Sequence, residues 1–173
     1  MTPNQVTAIR AVLVALLAGL VVAPPQSAVA WSAVIGGTIA AVLDGVDGWL
    51  ARRTGMMTAF GARFDMEIDA LLILVLAILA WRWDKAGPWV LMSGLLRYLF
   101  VAAGWVLSWM RRPLAPTRRG QVICIVQVVA LIVAVAPITP PRVGAMVAAV
   151  GLLTLAYSFL VDTVRLWRNA NSA

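Results

Sequence analysis

Apolar runs of about 17–22 residues, the length a helix needs to cross roughly 30 Å of hydrocarbon, recur through the whole of this chain. They leave no stretch for a soluble domain, so residues 1–173 are expected to form a single membrane domain. Composition agrees: 62% of the residues are apolar and only 12% charged, far from the balance of a soluble domain of this length. The first run, Val6 to Ala23, lacks the basic start of a signal peptide and continues into a chain that is hydrophobic throughout, so it reads as a retained helix.

Breaks at Pro24-Pro25, Arg52 to Gly55, Arg82 to Pro88, Arg111 to Gly120 and Pro137 to Arg142 divide the chain. They predict an all-α, polytopic protein with six transmembrane helices, at approximately 5–23, 29–51, 60–81, 88–109, 120–136 and 143–164. Six crossings put both termini on one side. That face collects Arg10, Arg52, Arg53, Arg63, Arg111, Arg112, Arg118, Arg119, Arg165 and Arg168, against Arg82, Lys85 and Arg142 on the other. The excess places the termini in the cytoplasm, in a bacterial inner membrane or other plasma membrane. The net charge of +7 then describes a basic rim suited to anionic headgroups and phosphorylated substrates, and nothing further supports nucleic-acid binding. Trp49, Trp81, Trp83, Trp89, Trp109 and Trp167 lie near helix ends and are expected to anchor in the headgroup zone.

The lone cysteine, Cys124, excludes an intrachain disulfide and a cysteine zinc site. Histidine is absent, which removes the usual general base and transition-metal ligand. Acid–base and metal chemistry therefore fall to carboxylates. Only seven residues are acidic, and five of them, Asp44, Asp47, Asp65, Glu67 and Asp69, fall in one short stretch across a helix–loop–helix. Asp44 and Asp47 are three apart, Asp65 and Asp69 four apart, so each pair projects from one face of its helix. Both pairs sit near the cytoplasmic ends of antiparallel helices, so four carboxylates meet at similar depth. An intramembrane carboxylate costs roughly 2.5–3.5 kcal/mol to insert, and four together need a cation. Mg²⁺ or Mn²⁺ meets that need and still leaves places for phosphate oxygens. Salt bridging between helices is the alternative, and it explains neither the paired spacing nor the small residues nearby. Gly48 and Ala51 share the face of Asp44, and Gly61 precedes Asp65 by one turn, clearing room for a bulky group such as a nucleotide.

The run Asp44-Gly-Val-Asp47-Gly48-Trp-Leu-Ala51-Arg52, then eight residues, then Gly61-Ala-Arg-Phe-Asp65-Met-Glu-Ile-Asp69, resembles the complete signature of the CDP-alcohol phosphotransferases. The layout of six helices and the chain length resemble that family over essentially the full sequence. The resemblance implies that an acceptor hydroxyl attacks the β-phosphate of a CDP-linked substrate, releasing CMP, with metal at a two-ion site offsetting charge on the pyrophosphate. On this reading Asp44, Asp47 and Asp65 are metal ligands. Asp69 shares the metal and acts as general base, and Arg52 holds phosphate or nucleotide beside Gly48, Ala51 and Gly61. The opening Pro3-Asn4-Gln-Val-Thr7-Ala-Ile-Arg10 is similar to that of phosphatidylglycerophosphate synthases, which implies nucleotide contacts from Asn4 and Thr7. A plain helix start, with Thr2 capping and Pro3 in the first turn, explains much of the same pattern.

Arg97 lies inside an apolar stretch, where an unpaired guanidinium is costly, so an anionic partner is expected. With Arg118 and Arg119 it is a candidate for binding a phosphate on the acceptor. The acceptor expected first is glycerol 3-phosphate, with CDP-diacylglycerol as donor. Inositol phosphate stays open, because Tyr98 follows Arg97 where glycerophosphate-using relatives often carry an acid. Clustered intramembrane aspartates also build divalent-cation transporters, but those place carboxylates near the midplane. The resemblance further implies a homodimer, although Gly144, Ala148 and Gly151 suit packing within one chain equally.

Overall fold

A computed structural model describes residues 3–54, 59–107 and 118–171. Six long helices follow in order: α1 Pro3–Gly19, α2 Ser27–Thr54, α3 Ala59–Arg82, α4 Met92–Val106, α5 Arg118–Val135 and α6 Pro141–Asn171. Short 3-10 turns at Leu20–Val22 and Pro88–Leu91 lead out of α1 and into α4. No strand occurs among the described residues. The stretches Gln5–Val22, Ser27–Val46, Pro88–Val106 and Pro141–Arg168 are long and apolar enough to cross a membrane, and α5 adds a shorter apolar helix. Apolar side chains also point outward, among them Val12 and Leu16 on α1, Ile35, Ile39 and Val42 on α2, and Met146, Val150 and Leu153 on α6. So much exposed apolar surface suits lipid as solvent. The protein is an all-α polytopic membrane protein.

Local chemistry explains the turns. Pro24 and Pro25 have no N–H to continue the ladder, and Gln26 N–H closes on Pro24 O at 2.8 Å before α2 starts at Ser27. At the end of α3, Asp84 takes a positive φ of 54°, and the N–H groups of Lys85 and Ala86 both return to Ala80 O. That is a left-handed helix stop in which a short polar residue replaces glycine. Lys85 then donates its ammonium to Thr139 O at 2.5 Å and Ala136 O at 3.2 Å. The bond ties the α3–α4 turn to the α5–α6 turn, so both lie at one end of the bundle.

α3 is the central helix. Leu72, Leu76 and Leu79 are fully buried, and the helix packs on α1, α4 and α5. α5 pairs most closely with α6, and α1 with α2. α2 and α3, the sequence neighbours that carry the aspartates, touch only marginally among the described residues; α1 and α5 each contact both of them. The adjacent glycines of α2 make close approaches possible. A Cβ on Gly36 would sit 2.9 Å from Leu17 Cδ2 of α1, and one on Gly37 3.3 Å from Ile132 of α5 and 3.6 Å from Leu76 of α3. Gly144, Ala148 and Gly151 pack inside the chain: Gly144 lies against Ala134 O and Lys85 O, Ala148 is fully buried, and Gly151 faces Gln127.

Trp83 corrects the expectation of an interfacial ring. It is buried in the core because the tight stop at Asp84 turns the chain back under the bundle, whereas Trp81, Trp89 and Trp167 are exposed as expected. Trp109 and the side chain of Trp49 lie outside the described residues.

Candidate functional site

Asp65 and Asp69, one turn apart on α3, point to the same side, and Asp44 of α2 faces them. Atoms that could each serve as a ligand, one from Asp44, Asp65 and Asp69, lie within 4.8 Å of one another. All three residues are half-buried. Between them stands Arg10 of α1, with a relative exposure of 0%. Its Nη1 lies 2.7 Å from Asp44 Oδ1 and donates to Asp65 Oδ1, while Nη2 donates to Asp69 Oδ1. Thr7, one turn earlier on α1, is buried beside it. Arg10, Ala41, Asp44, Asp69, Leu72, Cys124, Ile125 and Val128 line a cleft of about 260 Å³, counting its open mouth. One wall is thus acidic and the other, from α5, largely apolar.

The donor set suits a hard divalent ion. It offers oxygen alone, from three half-buried carboxylates on two helices gathered around a single guanidinium. Gly48 of α2 and Gly61 of α3 are half-buried on the same helices. The side chains of Asn4, Asp47, Ala51, Arg52 and Arg118 fall outside the described residues, as do Arg111 and Arg112 altogether.

Arg97 has the anionic partner expected of it. Its Nη2 donates to Glu67 at 2.6 Å, and Nη1 lies 3.9 Å from Met66 Sδ. Glu67 sits two residues from each of Asp65 and Asp69 and so projects from the opposite side of α3, toward α4. Arg119 pairs with Asp162 across α5 and α6. Neither arginine joins the aspartate cluster.

Arg10 was placed by sequence among the rim cations; the structure buries it in the middle of the acids. The signal existed, because Arg10 lies within the first apolar run just as Arg97 lies within the fourth, and a guanidinium in such a run demands an anion. The same reasoning overlooked Glu67, whose position out of phase with the other acids leaves it for a different neighbour.

Helical throughout its described residues, apolar on its outside and carrying gathered carboxylates on two helices, the chain defines a polytopic membrane protein with an acidic cleft. The family model for CDP-alcohol phosphatidyltransferase matches residues 1–160, and the chain belongs to that family. Its activity is accordingly that of a CDP-alcohol phosphatidyltransferase, which transfers a substituted phosphate group to an alcohol and acts in a family that generally depends on divalent metal. No curated protein matches the chain closely enough to narrow this further.

Proposed function

We propose that the protein moves a phosphatidyl group from CDP-diacylglycerol to an alcohol, glycerol 3-phosphate first, releasing CMP, with its cleft and both termini on the cytoplasmic side. The observation that carries the reading is the convergence of Asp44, Asp65 and Asp69 at one cleft, on the helices that bear the two halves of the family signature. Asp44, Asp47, Asp65 and Asp69 would hold Mg²⁺ or Mn²⁺, two ions on this reading, and the metal would supply positive charge to the pyrophosphate. Asp69 accepts the proton of the acceptor hydroxyl at a carboxylate oxygen. The hydroxyl oxygen bonds to the lipid-side phosphorus, and the bond from that phosphorus to the CMP oxygen breaks. Gly48, Ala51 and Gly61 leave room for the nucleotide, Arg52 pairs with its phosphate, and Asn4 and Thr7 contact it from the start of α1. Apolar Ile125 and Val128 keep water from the opposite wall.

Arg97, Arg118 and Arg119 are the proposed contacts for the acceptor phosphate, Arg97 and Arg119 from outside the aspartate cluster, so the phosphate would lie away from the hydroxyl that reacts. Arg97 and Arg119 each hold a carboxylate, Glu67 and Asp162, so the phosphate takes over a guanidinium that is already oriented. A homodimer belongs to the same reading and rests on the family resemblance. The test is CMP release by purified protein given CDP-diacylglycerol, Mg²⁺ or Mn²⁺, and a panel of glycerol 3-phosphate, inositol phosphate and unphosphorylated alcohols. Release with glycerol 3-phosphate above the others is expected; no release with any acceptor would sink the assignment.

A further inference from the structure

We infer that Arg10 and the divalent cation compete for the same carboxylates, so that Arg10 sets the cation affinity of the cleft. This rests on reading the aspartate cluster as the metal site. The guanidinium is wholly enclosed, and its two terminal nitrogens reach one oxygen on each of Asp44, Asp65 and Asp69. The only three-residue acidic grouping with cation-binding spacing among the described residues is made of those same three side chains.

An ion that draws ligands from all three enters the space the fork of Arg10 spans. Arginine cannot yield by losing its proton, since it stays charged in proteins. Two cations at contact distance repel, so the ion gains its ligands as the guanidinium gives them up. The Nε of Arg10 is buried and makes no hydrogen bond, so the polar contacts that hold the head group are those with the carboxylates the ion would take. Sequence distance makes the arrangement informative. Arg10 comes from α1, outside the signature, and adds a lever on cation affinity that the four aspartates do not contain.

The experiment is Mn²⁺ binding to chelator-stripped, detergent-purified protein, followed by calorimetry and by the electron paramagnetic resonance of free Mn²⁺. Arg10→Met is expected to bind Mn²⁺ roughly tenfold or more tightly than the parent. Arg10→Lys keeps the charge but not the fork that spans three carboxylates, and it is expected to tighten binding by a smaller factor. That second variant also serves where Arg10→Met does not yield monodisperse protein. It separates direct competition from the mere removal of a nearby charge, which would leave Arg10→Lys at the parental affinity. Binding in the folded variants that is no tighter than in the parent overturns the inference while leaving the metal site intact. Absence of Mn²⁺ binding in parent and variants alike overturns both.

Discussion

Asp69 lies one turn deeper than Asp65 along α3, facing Asp44 across the cleft and sharing Arg10 with both. Its proposed work as base separates it from a ligand with no other duty. Asp69→Asn keeps the shape and an oxygen but removes the proton acceptor, so turnover is expected to fall roughly 10²-fold or more, a range typical of general-base loss. Mn²⁺ binding by the same variant should weaken less than turnover does, and CMP release measured beside calorimetry checks the difference. Near-normal turnover would remove Asp69 from that role. At this scale the gathering of Asp44, Asp65 and Asp69 was legible in the sequence, because acids in an apolar chain have few innocent explanations. What it hid was pairing across distant segments. The partners of Arg10 lie on the next two helices, α2 and α3, and although helical phase sets Glu67 apart from the other acids it does not say that Arg97 of α4 would meet it.

Helix positions were legible to within a few residues, since apolar runs end at prolines, glycines and arginines whose effect on the backbone is local. α6 is the instructive departure. It was expected to end at 164 but continues to Asn171, because a helix needs no lipid to maintain its own hydrogen bonds and Arg165 and Arg168 are at ease in water. Lateral packing was less readable. Gly94 of α4 is buried where a Cβ would lie 2.6 Å from Leu74 Cβ and 2.7 Å from Leu74 Cα, backbone that cannot step aside. Gly94→Ala is therefore expected to cost about 1–3 kcal/mol through overpacking of α3 against α4. Gly19, with nothing within 4 Å of its would-be Cβ, is the control: Gly19→Ala should leave stability unchanged or raise it. Thermal unfolding in detergent compares the two, and an unshifted midpoint for Gly94→Ala would contradict the close contact.

For the molecule as a whole, the bond from Lys85 to the α5–α6 turn sets two of the connections at one end, as an up-and-down path requires. Among the described residues Arg119, Arg165 and Arg168 belong to the other end, and the proposed orientation gives that end to the cytoplasm. A green fluorescent protein fused after Ala173 should fluoresce in a bacterial host, and alkaline phosphatase at the same place should stay inactive; the reverse pattern would invert the topology. Sequence yielded an all-α polytopic protein, but not which helices would stand between the two that carry the aspartates. That arrangement matters for how the cleft keeps its width. α2 and α3 come together at Gly37 and Leu76, two helical turns inward of Asp44 and Asp69. A methyl group added at Gly37 would rest against Leu76 at an ordinary 3.6 Å and ask a few tenths of an ångström only of Ile132 on α5, at 3.3 Å, so the seam there is closed as much by the helix that flanks the pair as by the pair itself.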